Sequence, residues 1–126
     1  MRVQSSKRFL VLALALALGS AGCASGGGSS SRPAGASSNR IVQAELDALP
    51  QMNALLAIER LRAQWLRSRS GDPPQLYVDG ARRGNVQNLT GILTTEISQI
   101  EYMSASDATN RFGTGHAGGA ILVTSR

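Results

Sequence analysis

The final stretch of the chain, residues 105–126, constrains the fold more than any other part of the sequence. It begins with polar residues that favour a short helix, continues through a run of glycines, and ends in a short apolar strand at residues 120–124. Glycine allows sharp reversals and close approach of the backbone. A strand this apolar needs cover on both faces. We therefore expect residues 120–124 to lie in the middle of a sheet, between residues 76–78 and 100–102.

The rest of the sequence predicts an α+β domain over residues 41–126. The predicted elements, in order, are a short helix or extended segment at 41–49, a helix at 52–66, a strand at 75–78 with a turn at Asp79 and Gly80, a helix at 89–97, a strand at 97–103, and a helical turn ending near Phe112. Ser106 or Asp107 can cap that last turn through a side-chain oxygen. These elements predict an N-terminal helix followed by a small mixed sheet of about three strands, with helices on one face.

The N-terminus has the pattern of a secretion signal. Arg2, Lys7 and Arg8 precede an apolar run at residues 9–18, which is too short to span a bilayer as a permanent helix. Small residues follow, and then Cys23, the only cysteine of the chain. A lone thiol forms no internal disulfide, and no His or Cys lies nearby to share a metal.

The order of apolar run, small residues and Cys23 resembles the lipobox of bacterial lipoproteins. The resemblance implies a signal peptide at residues 1–22 and an acyl chain, such as palmitate, on Cys23 as the first mature residue. Ser20 departs from the family, which usually has Leu there. The alternative is an ordinary secretory signal cut near Ala21 or Ala24. Because Ala24 rather than Asp follows the cysteine, the resemblance implies sorting to the outer membrane, facing the periplasm.

Residues 23–40 are predicted to be the lipidated cysteine and a flexible tether, because Gly, Ser and Ala dominate and bury too little apolar surface to offset the entropy of ordering.

The chain has 13 Lys and Arg against 8 Asp and Glu, and three of the cations precede Cys23. The net charge after Cys23 is therefore +2, which is too weak to predict nucleic-acid binding.

Arginines cluster at the end of the predicted 52–66 helix, where cations suit the helix dipole. They are Arg60, Arg62, Arg67 and Arg69. The plainer interpretation is a solvated face, and the other is a contact with lipid headgroups or an acidic partner.

Five short motifs from residue 76 onward resemble the plug domain of TonB-dependent outer-membrane receptors. They are LYVDG at 76–80, ISQIEY at 97–102, DAT at 107–109, RFG at 111–113 and GGAILVT at 118–124. Their order and spacing follow the family over about 50 residues. A receptor also has a membrane barrel of at least eight strands of about ten residues each. We therefore expect a plug-like domain (lead-in 41–70, core 75–126) without a barrel.

The sequence offers little chemistry. Gly113, Gly115 and Gly118 fit the spacing G-x-G-x-x-G, but a dinucleotide site needs a strand before the glycines and a helix after them, and here the order is reversed. His116 is the only histidine and has no second His or Cys as partner. We therefore expect no catalytic residue, no metal site, no cofactor and no enzymatic activity.

The sequence predicts an interaction module that serves an envelope protein or outer-membrane transport, docking through an exposed sheet edge or through arginines. The candidate contact residues are Arg60, Arg67, Arg82 and Arg83. Five glycines are assigned structural roles: Gly80, Gly113, Gly115, Gly118 and Gly119. The alternative is a periplasmic binder of an anionic or metal-chelate ligand, with the glycine-rich loop, Arg82 and Arg83 forming its pocket.

Overall fold

The computed structural model describes residues 31–68 and 70–126. The predicted signal peptide, Cys23 and Arg69 lie outside the described residues. The regular elements are β1 (Arg40–Val42), α1 (Gln43–Asp47), α2 (Ala54–Arg62), a 3₁₀ helix (Ala63–Leu66), β2 (Gln75–Val78), β3 (Ala81–Asn85), two further 3₁₀ helices (Val86–Gly91 and Thr94–Glu96), β4 (Ile97–Met103), α3 (Ala105–Phe112) and β5 (Ala120–Ser125).

The five strands form one sheet in the order β1-β4-β5-β2-β3. β5 is the central strand: it runs parallel to β2, with Leu76 opposite Ile121, and antiparallel to β4, with Ile100 opposite Val123. The expectation that the glycine-led strand lies between the other two predicted strands is confirmed. So is the α+β class with a mixed sheet.

The sheet has five strands where the sequence predicts about three, because β1 and β3 also pair with it. β1 is three residues long and only Ile41 in it is buried, so it is too short for a recognisable alternation of apolar and polar residues. All five residues of β3 are exposed. The described chain therefore begins with a strand and not with the N-terminal helix of the predicted fold class, and residues 41–49, predicted as a short helix or an extended segment, contain the end of β1 and then α1.

Helices pack on both faces of the sheet and not on one. The larger core lies between one face and α2, where Ile58 packs with Leu76 and Ile121. On the other face Ala108 of α3 packs with Tyr77. Successive residues of a strand point to opposite faces, which is why neighbours such as Leu76 and Tyr77 belong to different cores.

The predicted helix at 89–97 is wrong, because the chain there forms two short 3₁₀ helices separated by an extended segment. The predicted helix at 52–66 is α only from Ala54 to Arg62, with the Asn53 side chain accepting from the Leu56 N–H at its start. α3 is capped neither by Ser106 nor by Asp107. The Ser104 hydroxyl accepts from the Asp107 N–H instead.

The glycine-rich loop, residues 113–119 between α3 and β5, crosses close to the backbone that leads into β2. A Cβ on Gly118 would lie 2.7 Å from the carbonyl carbon and the oxygen of Pro73, and closer still to the oxygen of Asp72. The other four glycines given structural roles have positive φ. The loop therefore packs against the body of the domain at a distance that only glycine allows.

Residues Ser31–Arg126 form one compact unit that contains the whole sheet and both cores. Within it, no helix is long and apolar enough to cross a membrane.

Candidate functional site

The most exposed regular element of the described chain is the edge strand β3. It pairs with β2 on one side only, at the end of the sheet. A tight turn joins the two strands, with φ of +49° at Asp79 and +82° at Gly80. Positive φ at both central residues of a two-residue turn matches the twist of a hairpin. The pairing shifts between Gln75 and Tyr77, which places a bulge in this edge.

The turn is fixed to the central strand by the Asp79 carboxylate. It accepts hydrogen bonds from the Ser125 N–H at 2.9 Å and from the Ser125 hydroxyl at 2.7 Å. The backbone bond from Ser125, then the side-chain bond, and to a lesser degree the charge of Arg83 hold the pKa of Asp79 below its ordinary value of 3.8. The end of the hairpin is therefore tied to β5 even though Asp79 is exposed.

Arg82 and Arg83 point to opposite faces of the sheet. Arg82 lies opposite Tyr77, so it shares the α3 face, and its guanidinium donates to the Gln75 side chain at 2.9 Å. Arg83 lines a pocket on the other face together with Leu76 and Val78. In the described part of the chain, no carboxylate oxygen lies within 4.0 Å of either guanidinium.

The pocket beside Arg83 has a volume of about 430 Å³. Its lining residues are Leu76, Val78, Arg83, Asn88, Gly91 and Ile92. Neither Arg82 nor any residue of the glycine-rich loop is among them. The alternative ligand-binding hypothesis requires the glycine-rich loop, Arg82 and Arg83 to form one pocket. The structure does not bring these three together.

The arginines at the end of α2 do not form one solvated face. Arg60 and Arg67 are exposed, as the sequence predicts. Arg62 is instead buried, with 5% of its surface exposed. Its guanidinium donates to both oxygens of Glu45, at 2.9 and 3.2 Å, and the Glu45 side chain is itself only 9% exposed.

The same guanidinium also binds the segment that leads into β1. It donates to the Ser37 carbonyl at 3.0 and 3.2 Å and to the Leu61 carbonyl at 2.9 Å. The Trp65 indole N–H donates to the Ser38 carbonyl at 2.9 Å. Ser37 and Ser38, which the sequence analysis places in the flexible tether, are therefore bonded to the folded body through side chains of α2 and the 3₁₀ helix after it. We refer to Arg62, Glu45 and the Ser37 carbonyl as the Arg62 cluster.

His116 is buried, and the described structure engages both of its ring nitrogens. Nδ1 lies 2.8 Å from the Gly113 carbonyl, which can only accept, so Nδ1 carries a proton. In the neutral ring Nε2 is then the acceptor, and it lies 2.8 Å from the hydroxyl of the buried Tyr77. Phe112 stacks on Tyr77 with ring centroids 4.1 Å apart. His116 therefore packs at the edge of the core beneath α3 and hydrogen-bonds through both of its ring nitrogens.

Among the residues that the structure describes, no three His, Cys, Asp or Glu side chains are grouped closely enough to hold a metal ion.

The sequence did not reveal the Tyr77–His116 pair, because 39 residues separate its members. The burial of Arg62 had a usable signal, since it continues the buried series of Ala54 and Ile58 at intervals of four residues.

Comparison with protein-family models, curated proteins and solved structures found no match to this chain.

Proposed function

We propose that this chain is a non-enzymatic outer-membrane lipoprotein whose plug-like domain faces the periplasm and docks an acidic, extended segment of an envelope protein on the edge strand β3. The observation that carries the proposal is that β3 is a wholly exposed edge strand bearing two arginines. An unpaired strand edge offers backbone donors and acceptors to an incoming strand, and neighbouring side chains supply specificity.

The charge of the edge supports an acidic partner. β3 contains Arg82 and Arg83 and no acidic residue. The nearest acid in sequence, Asp79, is already bound to Ser125. A strand laid along β3 would have side chains near Arg82 on one face and near Arg83 on the other. Carboxylates at both places would be attracted, and the bulge and the charges would disfavour pairing with a second copy of the same edge.

The opposite edge of the sheet is a weaker candidate. β1 has three residues, its central residue Ile41 is fully buried, and α1 begins directly after it. The segment before β1 is held by the Arg62 cluster and by a hydrogen bond from the Tyr102 N–H to the Asn39 carbonyl. β3 is longer, and all five of its residues are exposed. A 3₁₀ helix follows it directly, and that helix engages the edge through one side-chain hydrogen bond, from Asn88 to the Arg83 carbonyl.

The proposal includes a lipid anchor on Cys23. Ser37, where the chain is fixed to the domain, follows Cys23 by 14 residues. A chain of this length reaches at most about 50 Å when fully extended. Ser37 would therefore lie within that distance of the membrane, and β3, at the opposite edge of the sheet from β1, would lie within that distance plus the width of the sheet. Replacing Cys23 by Ser should move the protein from the membrane fraction to the soluble fraction and abolish labelling by an alkyne fatty acid; a labelled Cys23→Ser protein would contradict the anchor.

The non-enzymatic part of the proposal is supported by the state of His116. Its burial and its two hydrogen bonds leave neither ring nitrogen open to a substrate. A general base needs to reach the proton it removes.

The docking surface is tested by placing a photo-crosslinking amino acid at position 82 of the full-length lipoprotein in cells. The matched control carries the same group at Asn110, which is exposed on α3. We expect one discrete adduct from position 82, absent from position 110 and reduced in a chain that also carries Arg83→Glu. Equal adducts from the two positions, or none from position 82, would contradict docking on β3.

A further inference from the structure

We propose that the pocket beside Arg83 binds a small amphipathic carboxylate, a molecule with one acid group and an apolar body. This site does not depend on the docking of a protein on β3. Its volume of about 430 Å³ falls in the range usual for small-molecule pockets. The chemistry of its lining residues defines the ligand class.

The floor of the pocket is apolar. Leu76 in β2 is fully buried, and Val78 and Ile92 are half-buried. An apolar group that covers the exposed part of Val78 and Ile92 gains about 25 cal/mol for each Å² removed from water. The body of the ligand is therefore expected to be a hydrocarbon chain or an aromatic ring.

The rim of the pocket is cationic. Arg83 lines it, and in the described structure no carboxylate lies within 4.0 Å of that guanidinium. A guanidinium offers parallel N–H groups that match the two oxygens of a carboxylate. Covering this charge with a neutral or cationic molecule would remove it from water without compensation. An anion is therefore favoured over a neutral or cationic ligand of the same shape.

The wall that carries Arg83 is fixed before a ligand arrives. The Asn88 side-chain amide donates to the Arg83 carbonyl. Gly84, with φ of +86°, permits this approach, since a Cβ there would lie 2.9 Å from the Asn88 amide nitrogen. Asn85 also begins the adjoining 3₁₀ helix by accepting from the Gln87 N–H at 3.0 Å. The backbone on this side of the pocket is therefore held in place before binding, which lowers the entropy lost there.

Gly91 provides a direct way to close the pocket. It lines the pocket, its φ lies outside the left-handed region, and a Cβ built on it meets no atom within 4 Å. Gly91→Leu therefore adds bulk to the lining of the pocket without strain at its Cβ. Arg82→Ala is the matched control for Arg83→Ala, because it removes the same charge from the same strand on the opposite face.

The test titrates segment Ser31–Arg126 with 4-phenylbutyrate and follows the backbone amide signals by NMR. The same titration uses 4-phenyl-1-butanol and 4-phenylbutylamine, which share the apolar body and differ in charge. We expect saturable shifts centred on Leu76, Val78 and Ile92 with the carboxylate, and binding at least roughly tenfold weaker with the alcohol and the amine.

Arg83→Ala should weaken carboxylate binding by roughly tenfold or more, and Gly91→Leu should abolish it, with both variants keeping the dispersed spectrum of the folded domain. Arg82→Ala should bind within about twofold of the parent, because its guanidinium lies outside the pocket. The proposal is overturned if no probe gives saturable shifts at these residues, if the alcohol binds as tightly as the carboxylate, or if Gly91→Leu binds unchanged. None of these outcomes bears on crosslinking from position 82, so the two proposals fail separately.

Discussion

Replacing Arg62 by Met should destabilise the domain more than any other single change at an arginine. The substitution keeps the length of the apolar stem and removes the guanidinium. It leaves the Glu45 carboxylate, 9% exposed, without its charged partner, and it removes the guanidinium hydrogen bonds to the Ser37 and Leu61 carbonyls. Breaking a buried ion pair from one side typically costs about 3–5 kcal/mol.

That cost is a large part of the whole stability, because domains are typically stable by about 5–15 kcal/mol. With a urea m-value of about 1.5 kcal/mol/M, the unfolding midpoint should fall by about 2–3 M. The assay is urea unfolding of Ser31–Arg126, followed by far-UV circular dichroism and by fluorescence of Trp65, the only tryptophan. Trp65 is 2% exposed and should report loss of the core.

Two comparisons separate the buried pair from a general effect of losing an arginine. Arg40→Met breaks an ion pair with Glu101 whose side chains are 43% and 36% exposed, so it should cost no more than about 1 kcal/mol. The double variant Arg62→Met, Glu45→Leu replaces both charges by apolar groups and should be more stable than Arg62→Met alone. The reasoning is refuted if Arg62→Met costs no more than Arg40→Met, or if the double variant is as unstable as the sum of its single changes.

Three further predictions concern the turn, the loop and the second core. Asp79 has a lowered pKa, so its contribution to stability is full above its ordinary pKa and is lost as the pH falls through the folded-state pKa. In urea unfolding, the parent should therefore be more stable than Asp79→Asn at pH 7, and this difference in the free energy of unfolding should shrink towards pH 3. A difference that stays constant over this pH range would contradict the prediction. Gly118→Ala should lower the melting temperature markedly because its Cβ meets backbone, whereas Gly91→Ala should leave it nearly unchanged; equal effects would contradict the packing of the loop. Tyr77→Phe leaves Nε2 of buried His116 without a partner and should cost about 1–3 kcal/mol in urea unfolding, and a neutral result would remove that hydrogen bond from the account.

The central part of the fold was predictable because its signals are local. The glycines before β5 and its apolar residues indicate a buried strand. Gln75–Val78, followed by Asp79 and Gly80, has the pattern of a strand and a hairpin turn. These features depend on residues adjacent in sequence, so they can be recognised without knowing which parts of the chain pack against them.

The edges of the sheet and the 3₁₀ helices were not predictable in the same way. β3 has no buried residue, so its pairing is set by the turn and not by a hydrophobic pattern. Leu89 and Ile92 have the spacing of an α-helix, yet Leu89 lies in a 3₁₀ helix and Ile92 follows it in extended backbone. Short segments of this kind are decided by tertiary packing, which overrides intrinsic propensity.

The candidate sites show the same limit. Arg82 and Arg83 were singled out as a pair, but the alternation of side chains along a strand places them on different faces, so only Arg83 lines the pocket. Arg62 was grouped with solvated arginines because its partner Glu45 lies 17 residues earlier. Contacts of this kind appear only once the chain is folded.

The claim that a partner strand adds to β3 is tested most directly by amide hydrogen exchange of the full-length chain in the complex isolated by crosslinking. The account predicts slower exchange in Ala81–Asn85 when the partner is bound, with exchange in α3 unchanged. Unchanged exchange in Ala81–Asn85, together with new protection elsewhere on the domain, would contradict it.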